Sequence, residues 1–277
     1  MVYEVVRSER LAPGVHSLEV LAPLVARRAR PGQFVMVMVE ERGERIPLTI
    51  SDWSNETIRL VFEVVGRTTS RLSLLREHDS LFSVAGPLGI PSEIRRYGRV
   101  AVVGGGVGIA ACYPIARALR DAGNFVISIL GARTRELLIM EESMRGVSDR
   151  VMITTDDGTC GRMGLVTDAL RELLDEGGLD RVWAVGPARM MKAVSDLTRE
   201  RGVETMVSLN AIMVDGTGMC GSCRVTVGGR TMFTCVDGPE FDGHGVDWEE
   251  FIARLSRYSA QERICAGSGG CRRDAGE

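Results

Sequence analysis

The sequence predicts an antiparallel β-barrel, then a parallel-sheet α/β domain, then a small cysteine-bearing segment near the carboxyl end. Three observations predict it. Residues 1–96 carry short apolar or alternating runs bounded by Pro-Gly, Ser-Asn and Gly signals, the mark of compact all-β structure. From Arg99 onward, strand-like and helix-like periods alternate, which argues a doubly wound parallel sheet. Beyond residue 210 the chain becomes glycine-rich and sets Cys220, Cys223 and Cys235 close together.

In the first part, Tyr3–Val6, Gly32–Val39 and Thr57–Val65 are the clearest strands. About six such runs in so short a stretch suggest a small closed or nearly closed barrel. Gly86-Pro-Leu-Gly-Ile-Pro91 marks its end. In the second part, Val100–Val103 is a buried-strand run leading into Gly104-Gly-Gly-Val-Gly108. A helix follows over Ile109–Ala122 with Gly123 as its stop, and Pro114 predicts that it begins late or bends. Next come a strand at Phe125–Leu130, a charged helical segment at Arg135–Met144 and a strand at Val151–Thr155. A helix at Val166–Glu176, a strand at Val182–Val185, a helix at Met190–Arg201 and a strand at Thr205–Leu209 complete the alternation. Cys223–Phe233 reads as a hairpin and Trp248–Leu255 as a short amphipathic helix. The expected division is 1–96, 97–209, 210–247 and a helix with a flexible tail over 248–277.

Bulk composition narrows the function classes. Thirty-four basic against 37 acidic side chains, with no Lys/Arg block, give no footprint for nucleic acid or an anionic membrane. Aromatics at 5% are too few for a base-stacking platform. No apolar leader opens the chain and no run of 18 apolar residues occurs, so the expected location is the cytoplasm. Seven cysteines, two of them in Cys220-Gly-Ser-Cys223, point to metal ligation in a reducing compartment rather than to a disulfide framework.

The sharpest motif is Asp215-Gly-Thr-Gly-Met-Cys220-Gly-Ser-Cys223 with Cys235 twelve residues on. Plant-type ferredoxins hold a 2Fe–2S cluster with Cys-x4-Cys-x2-Cys and a distant fourth cysteine. Asp215 stands where the first thiolate would be, leaving three soft anionic ligands and one hard one. Gly216, Gly218 and Gly221 let the backbone curl around an inorganic core. A zinc site remains open, because zinc also accepts three thiolates and a carboxylate. Cys112 reads as a small buried hydrophobe, Cys160 as a loop residue, and His244 as a loop histidine rather than a ligand. Cys265 and Cys271 fall in the Gly/Ser-rich tail, at a spacing that fits no metal pattern.

Gly104-Gly-Gly-Val-Gly108 leaves a strand and opens a helix, where free N–H groups and a positive dipole end suit a pyrophosphate. The spacing departs from G-x-G-x-x-G, and no acidic residue closes the next strand. Alone, it also fits an ordinary tight βα turn, the lesser of the two readings. Gly186-Pro187, expected on the same carboxyl edge of the sheet, favours a ligand.

In this order, the parts resemble the ferredoxin–NADP reductase superfamily. More narrowly, the chain is similar to the dihydroorotate dehydrogenase electron-transfer subunits, and among them to the small subunits of NADH-dependent ferredoxin–NADP oxidoreductases, also called sulfide dehydrogenase subunits. The resemblance runs from the first strand to about Asp247 and rests on Pro31-Gly-Gln-Phe34, Arg45-Ile-Pro-Leu-Thr49, Gly66-Arg-Thr-Thr69, Gly86-Pro-Leu-Gly89, Gly104–Ala110, Gly131-Ala-Arg-Thr134, Thr154–Gly158, Gly186-Pro187, Asp215–Cys223 and Val236–Gly243. Asp215 matches the narrower group, because the dihydroorotate type has four cysteines.

The resemblance implies FAD, one 2Fe–2S cluster and NAD(H) or NADP(H), with no catalytic acid or base. It places the flavin at Arg45, Pro47, Leu48 and Thr49 and at the turn Gly66, Thr68 and Thr69. The nucleotide would lie on Gly104, Gly105, Gly106, Val107 and Gly108, with Gly186 at its nicotinamide end. The implied coenzyme is NADH, although Arg133 and Arg135 offer a 2′-phosphate two guanidinium groups. Asp215, Cys220, Cys223 and Cys235 would hold the metal. A larger iron–sulfur flavoprotein subunit is the implied partner, in an assembly that splits electron pairs. Alternatives are an electron-transfer subunit of another oxidoreductase, of dihydroorotate or sulfide dehydrogenase type, and a zinc-stabilised interaction module. Taken singly, Arg45 also fits a solvated strand-end arginine and Thr68-Thr69 an ordinary turn.

Overall fold

The computed structural model describes residues 3–258. Its first sheet contains β1 (Tyr3–Ala12), β2 (Val15–Leu21), β3 (Phe34–Met38), β4 (Ile46–Trp53), β5 (Thr57–Glu63), β6 (Ser80–Leu81) and β7 (Ser83–Leu88), with short helices α1 (Pro23–Ala26) and α2 (Arg67–Leu72) between strands. The order is β6-β1-β2-β5-β4-β3-β7, antiparallel throughout. Alternation sets the two faces of β4 apart: Leu48 and Ile50 turn inward to a core with Leu18, Val35 and Leu60, while Pro47 and Thr49 stay half-exposed.

The second sheet is built from β8 (Arg99–Gly105), α3 (Gly108–Asp121), β9 (Phe125–Ala132), α4 (Glu141–Gly146), β10 (Arg150–Thr155), β11 (Arg162–Met163), α5 (Val166–Glu176), β12 (Arg181–Val185), α6 (Ala188–Glu200) and β13 (Glu204–Ser208). After it come the hairpin β14 (Arg224–Val227) and β15 (Arg230–Phe233), then β16 (Glu240–Asp242) and α7 (Trp248–Leu255). The sheet order is β11-β10-β9-β8-β12-β13-β16, all parallel except β16, which runs antiparallel along β13. The strand order reverses between β8 and β12, so ligands are expected at the carboxyl ends of those two strands. The barrel and parallel sheet anticipated from the sequence are thus both present.

Two expectations need correction. Of the two effects expected of Pro114, a late start is absent: α3 begins at Gly108 and runs to Asp121 with the proline buried inside. A proline costs one backbone bond there, and packing of Ile109, Cys112, Ile115 and Leu119 on the sheet outweighs that loss. Nor is Arg135–Met144 one helix. A single 3-10 turn at Arg135–Leu137 is separated from α4 by Met140 in the left-handed region, φ 53°.

Three side-chain cores show how the pieces join. One fills the barrel; a second lies under α3. The third is shared: Phe34 and Met36 of the barrel pack with Ala184 and Val207 of the sheet, Cys223 and Cys235 of the cysteine segment, and Trp248 and Phe251 of α7. Arg117 of α3 also donates to Asp52 of β4 at 2.7 Å, stacked over Trp53. Among the described residues no helix is long and apolar enough to cross a membrane.

Candidate functional site

At the reversal point, Val185 of β12 is in register with Gly104 of β8, so the loops after these strands lie side by side. Gly106 holds φ 55° and its N–H donates to the Gly131 carbonyl at 2.9 Å. Gly108 opens α3 hard against β12: a Cβ there would sit 2.3 Å from the Val185 oxygen. That contact explains a glycine in this place better than backbone freedom does. Met190, which the sequence did not single out, covers Gly105 and Gly186; an added Cβ on either would meet its sulfur or methyl within 2.7 Å. At the end of β9, Arg133 is exposed, whereas Arg135 is held by Glu141 and by the Cys160 sulfur at 3.1 Å.

On the barrel, Arg45 precedes β4 and is exposed, its Nε directed at Met38 Sδ at 3.2 Å. Leu48 faces the barrel core, so only its backbone is available to a ligand. Gly66 caps α2, and Thr69 Oγ1 accepts from the Gly66 and Val65 amides, both at 3.0 Å. Thr68 donates to Glu44 at 2.8 Å, which ties α2 to the loop carrying Arg45. The two stretches sequence reasoning had paired are therefore neighbours in space, although both threonine hydroxyls already have protein partners.

The cysteine loop is only partly gathered. Cys223 and Cys235 are 98% buried with sulfurs 3.2 Å apart. Burial and the adjacent Cys223 push the Cys235 thiol well above the ordinary range. Cys220 is exposed, and the Ser222 amide pulls its thiol below the ordinary range. Asp215 accepts the Thr217 amide at 2.9 Å and the Cys220 amide at 2.8 Å, which hold its carboxyl below the usual carboxylate range. Among the described residues no three metal-ligating side chains converge. The donor set nonetheless suits a binuclear iron cluster: three thiols and a carboxylate share one segment, and the Gly218 amide is directed at the Cys235 sulfur as the Ser222 amide is at Cys220. Gly216, φ 75°, presses the loop onto the barrel; a Cβ there would lie 2.6 Å from Met36.

The remaining residues take quieter roles. Cys112 is fully buried, which pushes its thiol up. His244 pairs with Thr198 at 3.0 Å rather than with any cysteine. Cys265 and Cys271 lie outside the described residues.

Two family descriptions match this chain: "Iron-sulfur cluster binding domain of dihydroorotate dehydrogenase B" over residues 210–247, and "Oxidoreductase NAD-binding domain" over residues 102–196. The chain is 53% identical over 263 residues to a dihydroorotate dehydrogenase B electron transfer subunit homolog of Thermotoga maritima, covering 94% of this chain and 93% of the relative. The chain belongs to the dihydroorotate dehydrogenase B electron-transfer subunit family. A member of that family from Caldanaerobacter subterraneus is 31% identical over 242 residues, covering 86% of this chain and 94% of its own. Among solved structures, a chain described under "flavin-based electron bifurcation via the NADH-dependent reduced ferredoxin-NADP oxidoreductase structure" superposes with a TM-score of 0.92. It is 50% identical and covers 96% of this chain and 97% of its own. The family resemblance seen in the sequence is borne out.

Proposed function

We propose that this chain is the electron-transfer subunit of an NAD(P)H-dependent oxidoreductase, passing electrons through FAD and a 2Fe–2S cluster to a larger iron–sulfur flavoprotein subunit. The observation that carries the reading is the shared core, which brings the cysteine segment, the barrel strand bearing Phe34 and Met36, and the nucleotide sheet into one packed body. When bound, a flavin accepts a hydride as an electron pair and a one-electron cluster drains it singly.

This chain's residues provide binding and orientation. Arg45 and the α2 turn at Gly66, Thr68 and Thr69 would receive the flavin diphosphate, while Pro47, Leu48 and Thr49 would meet its ring through backbone and the half-exposed face of β4. The amides of Gly105, Gly106, Val107 and Gly108 would hold the coenzyme pyrophosphate, with Gly186 leaving room beside Met190. Arg133, exposed at the end of β9, would face the coenzyme's ribose. Asp215, Cys220, Cys223 and Cys235 would ligate iron, with Cys223 and Cys235 each giving up its thiol proton on metal binding. The reading divides the chain into flavin barrel, 1–96, nucleotide domain, 97–209, cluster segment, 210–247, and a carboxyl-terminal helix with tail, 248–277. It places the assembly in the cytoplasm, where thiol ligands stay reduced. The relative with TM-score 0.92 favours an electron-bifurcating assembly.

The test is spectroscopic. Anaerobically purified protein should show flavin bands overlapped by cluster absorption, and a binuclear iron–sulfur EPR signal after dithionite. Colourless protein carrying stoichiometric zinc would overturn the reading. Stopped-flow flavin reduction with NADH and with NADPH identifies the coenzyme.

A further inference from the structure

Beside the cysteine loop, α7 and the stretch before Asp215 enclose a groove of about 140 Å3 that has no part in holding flavin or nucleotide. Its floor is apolar, from Ile212, Phe251 and Leu255, and Arg224, Arg254 and Arg257 line it with no carboxylate among them. Arg254 and Arg224 donate to the carbonyls of Ser222 and Gly221, and among the described residues neither forms an ion pair with a carboxylate. Burial first, then the like charges of Arg224 and Arg257, lower the pKa of the Arg254 guanidinium against the opposing pull of Glu250. Elsewhere on the α/β domain, Arg150, Arg162 and Arg201 each meet an acidic partner. Cys220 also lines the groove and is exposed, whereas Cys223 and Cys235 are buried. Beside it, Met219 is 89% and Val214 56% exposed.

We propose that this groove receives an acidic, apolar-edged segment of the partner subunit, seating that partner against the Cys220 side of the cluster loop. The inference rests on the electron-transfer reading and adds to it the chemistry and the place of docking. Concentrated positive charge steers an acidic partner and fixes its orientation. The apolar floor supplies buried area that a purely charged patch lacks, and arginine is among the residues that most often dominate such contacts. Of the three candidate thiolate ligands, Cys220 offers the shortest path to the surface, so a partner held here has its own redox centre facing the exposed ligand.

The test uses the full chain and the larger subunit purified from the native complex. The paired substitution Arg254→Glu and Arg257→Glu should weaken the dissociation constant at least tenfold and flatten its dependence on salt. Flavin and cluster absorption, and reduction of the isolated chain by NADH, should be unchanged. An unchanged dissociation constant with bands retained overturns the proposal. Absence of those bands from the unsubstituted chain sinks the electron-transfer reading itself, a different result. Should the charge reversal fail to fold, Arg254→Lys and Arg257→Lys keep the charge and allow carbodiimide cross-linking. Cross-links to carboxylates of the larger subunit support the groove as its seat; cross-links confined to residues 259–277 of this chain overturn it.

Discussion

The two ligand loops of this protein are specified in opposite ways. The loop at Gly104–Gly108 is defined by backbone: a hydrogen bond from the Gly106 amide to the Gly131 carbonyl, the close approach of Gly108 to Val185, and Met190 lying across Gly105 and Gly186. The loop at Asp215–Cys223 is defined by side-chain donors, of which Cys223 and Cys235 are packed together while Asp215 is held by its own loop's amides. An anion reads N–H groups, so steric fit decides the first loop. Iron reads thiolates and carboxylates, so donor chemistry decides the second. The first should therefore fail when a Cβ is added, the second when a donor atom is exchanged.

The strongest break of that contrast comes from Cys235. Cys235→Ser should lower bound iron by about tenfold or more, since one ligand is lost and a harder, less acidic hydroxyl fills a buried place. Coenzyme affinity should stay within about twofold, because the pyrophosphate loop shares no donor with the cluster. Iron analysis beside coenzyme titration checks both halves. The converse variant, Gly108→Val, forces side-chain atoms into the Val185 carbonyl, where backbone on both sides has no room to yield. It should cost more than about 3 kcal/mol by urea unfolding and slow flavin reduction by NADH. Iron per folded chain should be kept.

The same contrast explains what could be read from the chain beforehand. Periodicity was enough for α5 and α7, whose ends at Val166–Glu176 and Trp248–Leu255 agree with the apolar spacing. Spacing was enough for the donor set, because ligand chemistry is written in residue identity. Contacts made only in three dimensions were not legible. Pro114 suggested a late helix start because the packing that overrides it comes from distant strands. Met190 looked like one more apolar helix residue until Gly105 and Gly186 were seen beneath it. The three residues of β16 are too short to show a period, yet they pair with β13 and bring Glu240 to the junction of barrel and sheet.

Glu240 sharpens the comparison because it serves the frame carrying both loops. Its carboxyl accepts from Ser92 at 2.5 Å, and burial pushes it up to about 7 despite the opposing pull of Ser92, Trp183 and Arg181. A folded value above the unfolded 4.5 means that the folded protein binds the proton more tightly. Its favourable share of stability is therefore complete below about pH 4.5 and is lost as pH rises towards 7. Glu240→Gln should match the native protein near pH 4 and exceed its stability at pH 8 by on the order of 2–3 kcal/mol. Parallel unfolding curves at the two pH values would show it; an equal difference at both would refute the assignment.

The smallest expected effect lies within the cluster loop, where the donor changes and the backbone does not. Asp215→Cys replaces a hard oxygen ligand by a thiolate that donates more charge to ferric iron, so the oxidised cluster gains most and the potential falls. A shift of about 60 mV corresponds to roughly 1.4 kcal/mol for a one-electron couple, the scale of a single ligand exchange. The thiolate sulfur also accepts more weakly than a carboxylate from the Thr217 and Cys220 amides, which now hold Asp215 at 2.9 and 2.8 Å. That weaker N–H donation adds to the downward shift, whereas iron content and NADH reduction of the flavin should not change. Redox titration followed by EPR gives the potential directly. A potential that does not move would mean that Asp215 works as a backbone clasp alone, and that the loop obeys the same steric rule as its glycine-built neighbour.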